Sequence, residues 1–158
     1  DYSENLHHEV ELVLLIGEKV KNANNEEAEN AIMGYAVGLD MTLRDIQFKC
    51  KEKGEPWTFA KIFDTSGVLT EFVLKSDYKL NGSERIHLSV NNEVKQESSV
   101  GMMLFNPIET IKNISSRMTL EKGDLIFTGT PAGFIRVIRG DKLSGGIENI
   151  GKIEATIV

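Results

Sequence analysis

The longest apolar run of the chain comes at its head. Val10, Leu12, Val13, Leu14, Leu15 and Ile16 form a block closed by Gly17, the pattern of a strand buried on both faces. A second run, Gly34 to Asp40, also has a strand's composition, with glycines that imply close backbone approach, and it ends on an acid. Between them, Lys19 to Asn25 reads as a polar surface turn, and Glu26 to Met33 as a short helix with Ala28, Ala31 and Ile32 on a weakly apolar side. Leu43, Ile46, Gln47 and Cys50 fall at i, i+3, i+4 and i+7. They predict a helix from Leu43 to about Lys53, with Thr42 as N-cap, Gly54 as its stop and Gln47 as the one polar residue on the inward stripe. After the turn Gly54-Glu55-Pro56, Lys61 is set among Trp57, Phe59, Ala60, Ile62 and Phe63. A lysine in such company either snorkels or serves a site.

The second half reads as short strands and one more helix. Val68 to Leu74 resembles a strand, and Arg85 to Val90 and Val94 to Glu97 alternate around Asn91-Asn92, a hairpin signal. That hairpin reads as solvated and without chemistry. Asn106-Pro107-Ile108-Glu109 is a helix start, with Ile108, Ile111 and Met118 expected on the inner face. Glu121 to Asp124 turns into a strand over Leu125 to Thr128, and a glycine-rich loop follows from Gly129 to Gly133. Strand structure is expected again over Phe134 to Val137, turns at Gly140-Asp141 and Gly145-Gly146, and a closing strand over Ile150 to Val158. There is no repeat, low-complexity tract or linker. The pattern predicts one β-rich α+β domain over residues 1–158 with a few short helices.

Composition narrows the function classes. The 158 residues suffice for one real core, and 41% hydrophobic with 27% charged content is that of a soluble globular chain. A net charge of −6 argues against a nucleic-acid partner. No apolar run reaches the ~20 residues of a membrane span. One cysteine, Cys50, leaves no internal disulfide and fits a reducing, intracellular compartment, with a small-hydrophobe role on a helix face. The chain starts at Asp1 with a strand almost at once, so an upstream segment is expected to be missing.

The chemistry collects at the head of the first run. On a strand, residues two apart share a face, so Glu9 and Glu11 project side by side. Two such carboxylates either lie solvated at a strand end or hold a cation between them; oxygen-only ligands suit Mg²⁺, Mn²⁺ or Ca²⁺. Asp40, at the end of its own strand, can complete a three-carboxylate site. His7 and His8 stand beside it, but no helical His pair or cysteine supports zinc, and either histidine orients a ligand or caps the strand.

Four ordered blocks carry a specific resemblance. His8-Glu9-Val10-Glu11-Leu12, Leu39-Asp40-Met41-Thr42-Leu43-Arg44-Asp45-Ile46-Gln47, Trp57-Thr58-Phe59-Ala60-Lys61 and Gly123 through Gly133 together resemble the fumarylacetoacetate hydrolase family, in its short acylpyruvase-like branch. The resemblance implies a mixed β-sandwich roll, a homodimer, and Mg²⁺ or Mn²⁺ held by Glu9, Glu11 and Asp40. It implies that Lys61 and Gln47 contact the substrate or a water on the metal, and that Gly129, Thr130 and Pro131 bind substrate, with the Thr130 hydroxyl on a substrate oxygen. The bland alternatives are a surface Lys61 paired to an acid, a Gln47 satisfying the backbone, an ordinary tight turn at Gly129 to Gly133, and a solvated helix face for Arg44 and above all Asp45.

The implied activity is metal-dependent hydrolysis of a C–C bond in a small β-diketo acid, an acylpyruvate or fumarylacetoacetate-like compound. Oxaloacetate decarboxylation or keto-enol isomerisation would use the same metal and enolate. A non-catalytic metal-binding homologue and a metal-free interaction domain are the competing classes. The expected setting is cytoplasmic or mitochondrial, with no nucleic-acid or membrane partner. Two departures stand out: the family's His and Glu base pair on an upstream helix has no counterpart here, and Phe134-Ile135-Arg136 replaces a glycine-rich turn.

Overall fold

The two apolar runs pair with each other. In the computed structural model, which describes residues 3–158, a short strand β1 (Leu6–His7) leads into β2 (Val10–Ile16). Helix α1 (Asn25–Ala31), closed at its start by an Asn24–Glu27 capping box, returns the chain to β3 (Ile32–Asp40), which lies antiparallel to β2. The strand β4 (Thr42–Leu43) pairs with β1. Helices α2 (Arg44–Lys53) and α3 (Thr58–Lys61) follow, α2 ending on Gly54 in the left-handed region. The expected strand over Val68 to Leu74 is broken into β5 (Gly67–Leu69) and β6 (Val73–Leu74), which pair with different parts of β3.

The hairpin β7 (Arg85–Val90) and β8 (Glu93–Ser99) turns at Asn91 and Asn92, both with positive φ, as a tight twisted hairpin requires. Helix α4 (Pro107–Arg117) starts on the Asn106–Glu109 capping box. Ile111 faces the core from it, whereas Met118 is exposed, because the helix has already ended at Arg117. The last strands are β9 (Leu125–Phe127), β10 (Lys142–Ile147) and β11 (Gly151–Thr156).

These strands make two main sheets, one ordered β5-β3-β2-β9 and one ordered β11-β10-β7-β8, with every pair antiparallel. Val10, Leu12, Leu14 and Ile16 of β2 share one core with Leu88, Val90, Leu143 and Ile153 of the other sheet, the layered packing that lets two sheets bury one face each. This is the β-rich roll with a few short helices that the resemblance implied.

Two expectations are corrected by that core. Gly145 and Gly146 lie inside β10 rather than at a turn, since the sheet continues through them to pair with β7 and β11. Phe134 to Val137 does not form a strand; only Arg136 bridges, to His7.

Candidate metal centre

The site is built from the face of β2 that points away from the shared core. Glu9 just precedes the strand and Glu11 lies within it, on the parity opposite to Val10 and Leu12. Across the strand pair, Asp40 donates its N–H to the Glu9 carbonyl at 2.9 Å, and Gly38 stands opposite Glu11. Cross-strand neighbours share a face, so the Asp40 carboxyl joins the two glutamates. Gly38 itself gives way to the Phe127 ring and Val13 Cγ2, each 2.6 Å from where a Cβ would stand. One oxygen of each carboxylate lies within 4.8 Å of the others. The adjacent-carboxylate reading and its third member, Asp40, are thus brought together, and the glutamates are buried.

Two cations flank the cluster. Lys61, at the end of α3, donates to Glu9 Oε2 at 2.7 Å, to Asp40 Oδ2 at 2.6 Å and to Thr42 Oγ1 at 2.7 Å. Thr42 is therefore not a helix cap; α2 begins one residue after Leu43 with no side-chain cap, and the Thr42 hydroxyl serves the lysine. Arg44, the first residue of α2, holds Glu9 Oε1 with Nη2 and Gln47 Oε1 with Nη1 at 2.6 Å. It is only 7% exposed, which excludes the solvated-face reading and makes Gln47 one of two inward polar residues on α2. Its guanidinium stacks on Phe134, 4.4 Å from the ring centroid, and its buried Nε has no hydrogen-bond partner among the described residues. Asp45 takes a hydrogen bond from Ser3 and does not join the cluster.

Three carboxylates against two cations leave the site short of positive charge. Burial pushes Glu11 up to about 7; the Gly129 N–H opposes the shift, and the neighbouring Asp40 and Glu9 charges add to it. Burial also raises Asp40, against the hydrogen bond from Lys61. A buried carboxylate driven this far is what a cluster shows when its compensating charge is incomplete. A hard divalent cation with oxygen ligands fits that donor set and that deficit.

The glycine-rich loop is laced to the same strand. Thr128 Oγ1 donates to the Leu12 carbonyl and Thr130 Oγ1 to the Val10 carbonyl, each at 2.8 Å, and the Gly129 N–H donates to Glu11 Oε2 at 2.7 Å. The Thr130 hydroxyl also accepts from Gln96 Nε2 at 2.8 Å, so within the protein it is already engaged. Gly133 has φ +103° and no space for a side chain, since a Cβ would collide with the Lys95 carbonyl. Gly133 is therefore held by the close approach of β8 as well as by its turn conformation. Thr128 to Pro131 also wall an apolar cavity of about 420 Å³ with Leu12, Phe127 and Ile114; none of the three carboxylates lines it.

His8 belongs to the framework of the site. Gln96 is fully buried, accepts from the Val10 N–H at 3.3 Å and donates to the Pro131 carbonyl at 2.8 Å. Those two backbone partners fix which end of the amide is oxygen. His8 Nδ1, 2.8 Å from Gln96 Oε1, must then carry the proton, and Nε2 accepts from the Ile135 N–H at 3.4 Å. His8 is a neutral pin, with burial lowering its pKa first. His7 pairs with Asn5 and packs against Phe134.

Sequence reasoning missed Gln96, in the hairpin read as free of chemistry. A bulge explains this: Ser89 pairs with Val94 and Leu88 with Gln96, leaving Lys95 unpaired and turning Gln96 inward. Arg44 was also missed, although its place three residues before Gln47 was a usable signal.

Comparison with known proteins gives one consistent result. The family model described as the fumarylacetoacetate hydrolase C-terminal domain matches residues 1–158. The chain is 42% identical over 149 residues to the oxaloacetate tautomerase FAHD1, mitochondrial, of Rattus norvegicus, covering 94% of this chain and 67% of that protein. It is 40% identical over 153 residues to a fumarylpyruvate hydrolase of Ralstonia sp, covering 97% and 79%. The crystal structure of fumarylpyruvate hydrolase from Pseudomonas aeruginosa in complex with Mn²⁺ and pyruvate superposes with a TM-score of 0.96 at 37% identity, covering 99% of this chain and 67% of that one.

Proposed function

The chain belongs to the fumarylacetoacetate hydrolase family, and from that premise we propose that it hydrolyses a C–C bond in a small acylpyruvate, using Mg²⁺ or Mn²⁺ held by Glu9, Glu11 and Asp40. The observation that carries this reading is the convergence of the three carboxylates beside Lys61. A relative named fumarylpyruvate hydrolase, and another solved with Mn²⁺ and pyruvate, support the substrate class.

A divalent cation bound there would polarise the keto oxygens and stabilise enolate charge. Water adds to the carbonyl distant from the pyruvoyl carboxylate. The C–C bond to the methylene breaks, its electron pair leaves as the pyruvate enolate, and a proton returns to the methylene carbon. Lys61 places an ammonium where that negative charge grows. Arg44 holds the Gln47 amide oxygen, so the Gln47 amide nitrogen remains to donate to a substrate oxygen. The Gly129 to Pro131 loop walls the substrate position, through its backbone rather than through the engaged Thr130 hydroxyl.

A second reading is supported by the 42% identity to an oxaloacetate tautomerase. Keto-enol exchange needs the same enolate stabilisation and one proton transfer at carbon, with no attacking water. Both readings take the chain as a homodimer, supported by the exposed run of Met102, Leu104 and Phe105.

The deciding assay follows fumarylpyruvate and enol-oxaloacetate separately, with Mn²⁺ or Mg²⁺ and with EDTA. Metal-dependent release of fumarate and pyruvate supports the hydrolase. Metal-dependent enol decay without fumarylpyruvate loss supports the tautomerase, and CO₂ release the decarboxylase. No turnover with Mn²⁺ bound would leave a non-catalytic homologue.

A further inference from the structure

We propose that Gln96 is a positioning residue for the metal centre, aiming the Gly129 N–H at Glu11 by pinning the 129–131 loop to the head of β2; this rests on the reading of Glu9, Glu11 and Asp40 as cation ligands. Gln96 comes from the opposite sheet and touches none of the three carboxylates, yet it bonds both segments that shape them. Its Oε1 accepts from the backbone N–H of Val10, the residue between Glu9 and Glu11, and from His8. Its Nε2 donates to the Thr130 hydroxyl and to the Pro131 carbonyl, each at 2.8 Å. All four hydrogen-bonding positions of the amide are thereby engaged, in a residue with no exposed surface.

The backbone beside Gln96 contributes as well. The bulge at Lys95 sets its carbonyl directly against Gly133, at the far end of the same loop. The loop is thus fastened from β8 at Thr130, at Pro131 and by contact at Gly133, and from β2 at Leu12 and Val10. Gly129 lies between those fastenings. Its N–H, 2.7 Å from Glu11 Oε2, is a consequence of where they hold the loop. A glutamine buried only to satisfy the core would need two or three partners of any kind. Here every partner belongs to the loop or to residues 8–10.

The test compares Mn²⁺ affinity and Gly129 amide exchange in three variants of the full chain. Gln96→Met keeps the volume and removes all four bonds. Gln96→Glu keeps the acceptor for Val10 and His8 and removes both donors to the loop, which serves if the first variant does not fold. Ile153→Ala removes core volume from β11, the edge of that sheet furthest from β8. Either Gln96 variant is expected to bind Mn²⁺ about 10- to 100-fold more weakly, the range for contacts that orient ligands, and to exchange the Gly129 amide faster. Ile153→Ala is expected to melt at lower temperature with native Mn²⁺ affinity.

Native Mn²⁺ affinity in a folded Gln96 variant would overturn the proposal, as would equal weakening in Ile153→Ala. If the native chain binds no Mn²⁺, the metal reading falls, and Gly129 exchange alone decides. Unchanged exchange in the Gln96 variants overturns the positioning role, and faster exchange supports it.

Discussion

Arg44 lies under Phe134, its guanidinium carbon 4.4 Å from the ring centroid, while its two terminal nitrogens reach Glu9 and Gln47. The ring covers the guanidinium face while the Nη edge serves the site. A partly desolvated cation–π contact contributes about 1 kcal/mol. Phe134→Ala should therefore lower Tm by roughly 2–4 °C for a chain of this size, whereas Phe134→Tyr should stay near native. Calorimetric melting of the two variants checks this; equal melting temperatures would remove Phe134 from the support of the site.

Lys61 bridges two of the proposed ligands, 2.7 Å from Glu9 Oε2 and 2.6 Å from Asp40 Oδ2. Its ammonium should matter to the reaction more than to holding the cation, because it competes for the same oxygens. Lys61→Met should lose ~10²–10³ in kcat, as removal of one charge-stabilising group does, with Mn²⁺ affinity equal or higher. Steady-state kinetics and calorimetry on one preparation separate the two effects. A variant that keeps kcat but loses Mn²⁺ would reverse the assignment.

The pH dependence follows from Glu11. Burial raises its pKa from 4.5 to about 7 in the folded chain without metal. Folded chains then bind a proton there that unfolded chains have released, so this carboxylate favours folding at low pH, and that contribution is lost as pH rises toward 7. A cation must displace the same proton. Mn²⁺ affinity should fall by about tenfold per pH unit below 7, with about one proton released per ion bound. Titrations in buffers of different ionisation enthalpy measure that release. An affinity flat from pH 5 to 7 would show that Glu11 is not a ligand.

Gly133 joins the conformation of the loop to the bulge of β8. Alanine there meets both a φ of +103° and the Lys95 carbonyl, and such strain with overpacking costs about 1–3 kcal/mol. Gly133→Ala should shift the urea midpoint down accordingly, and should weaken Mn²⁺ binding through the displaced Gly129 N–H. Unchanged stability would mean that the loop has another conformation available.

Much of this was legible in the residues. The period-two spacing of Glu9 and Glu11 in an apolar run, with an acid closing the next run, left a cation cluster and solvated acids both open, and the family resemblance favoured the cluster. The capping box of α4, the hairpin at Asn91-Asn92 and the stop of α2 at Gly54 are local signals, and they formed where local chemistry placed them. What was not legible depended on partners distant in sequence. Gln96 faces inward because a bulge shifts the strand by one residue, which alternation cannot reveal. Arg44 is buried because Phe134, ninety residues away, covers it. Thr42 looks like a cap until Lys61 arrives to take its hydroxyl. Gly145 and Gly146 look like a turn unless the neighbouring strand backbones are known to need the space.

Calorimetric titration of Mn²⁺ into the native chain and into Glu11→Gln tests the central claim most directly. The substitution keeps an acceptor for the Gly129 N–H and removes one charge from the cluster. The account predicts one Mn²⁺ per native chain and an affinity more than ~100-fold weaker in the variant, beyond the ~10–100-fold carried by outer contacts. Equal affinity in both would contradict the three-carboxylate centre and the chemistry built on it.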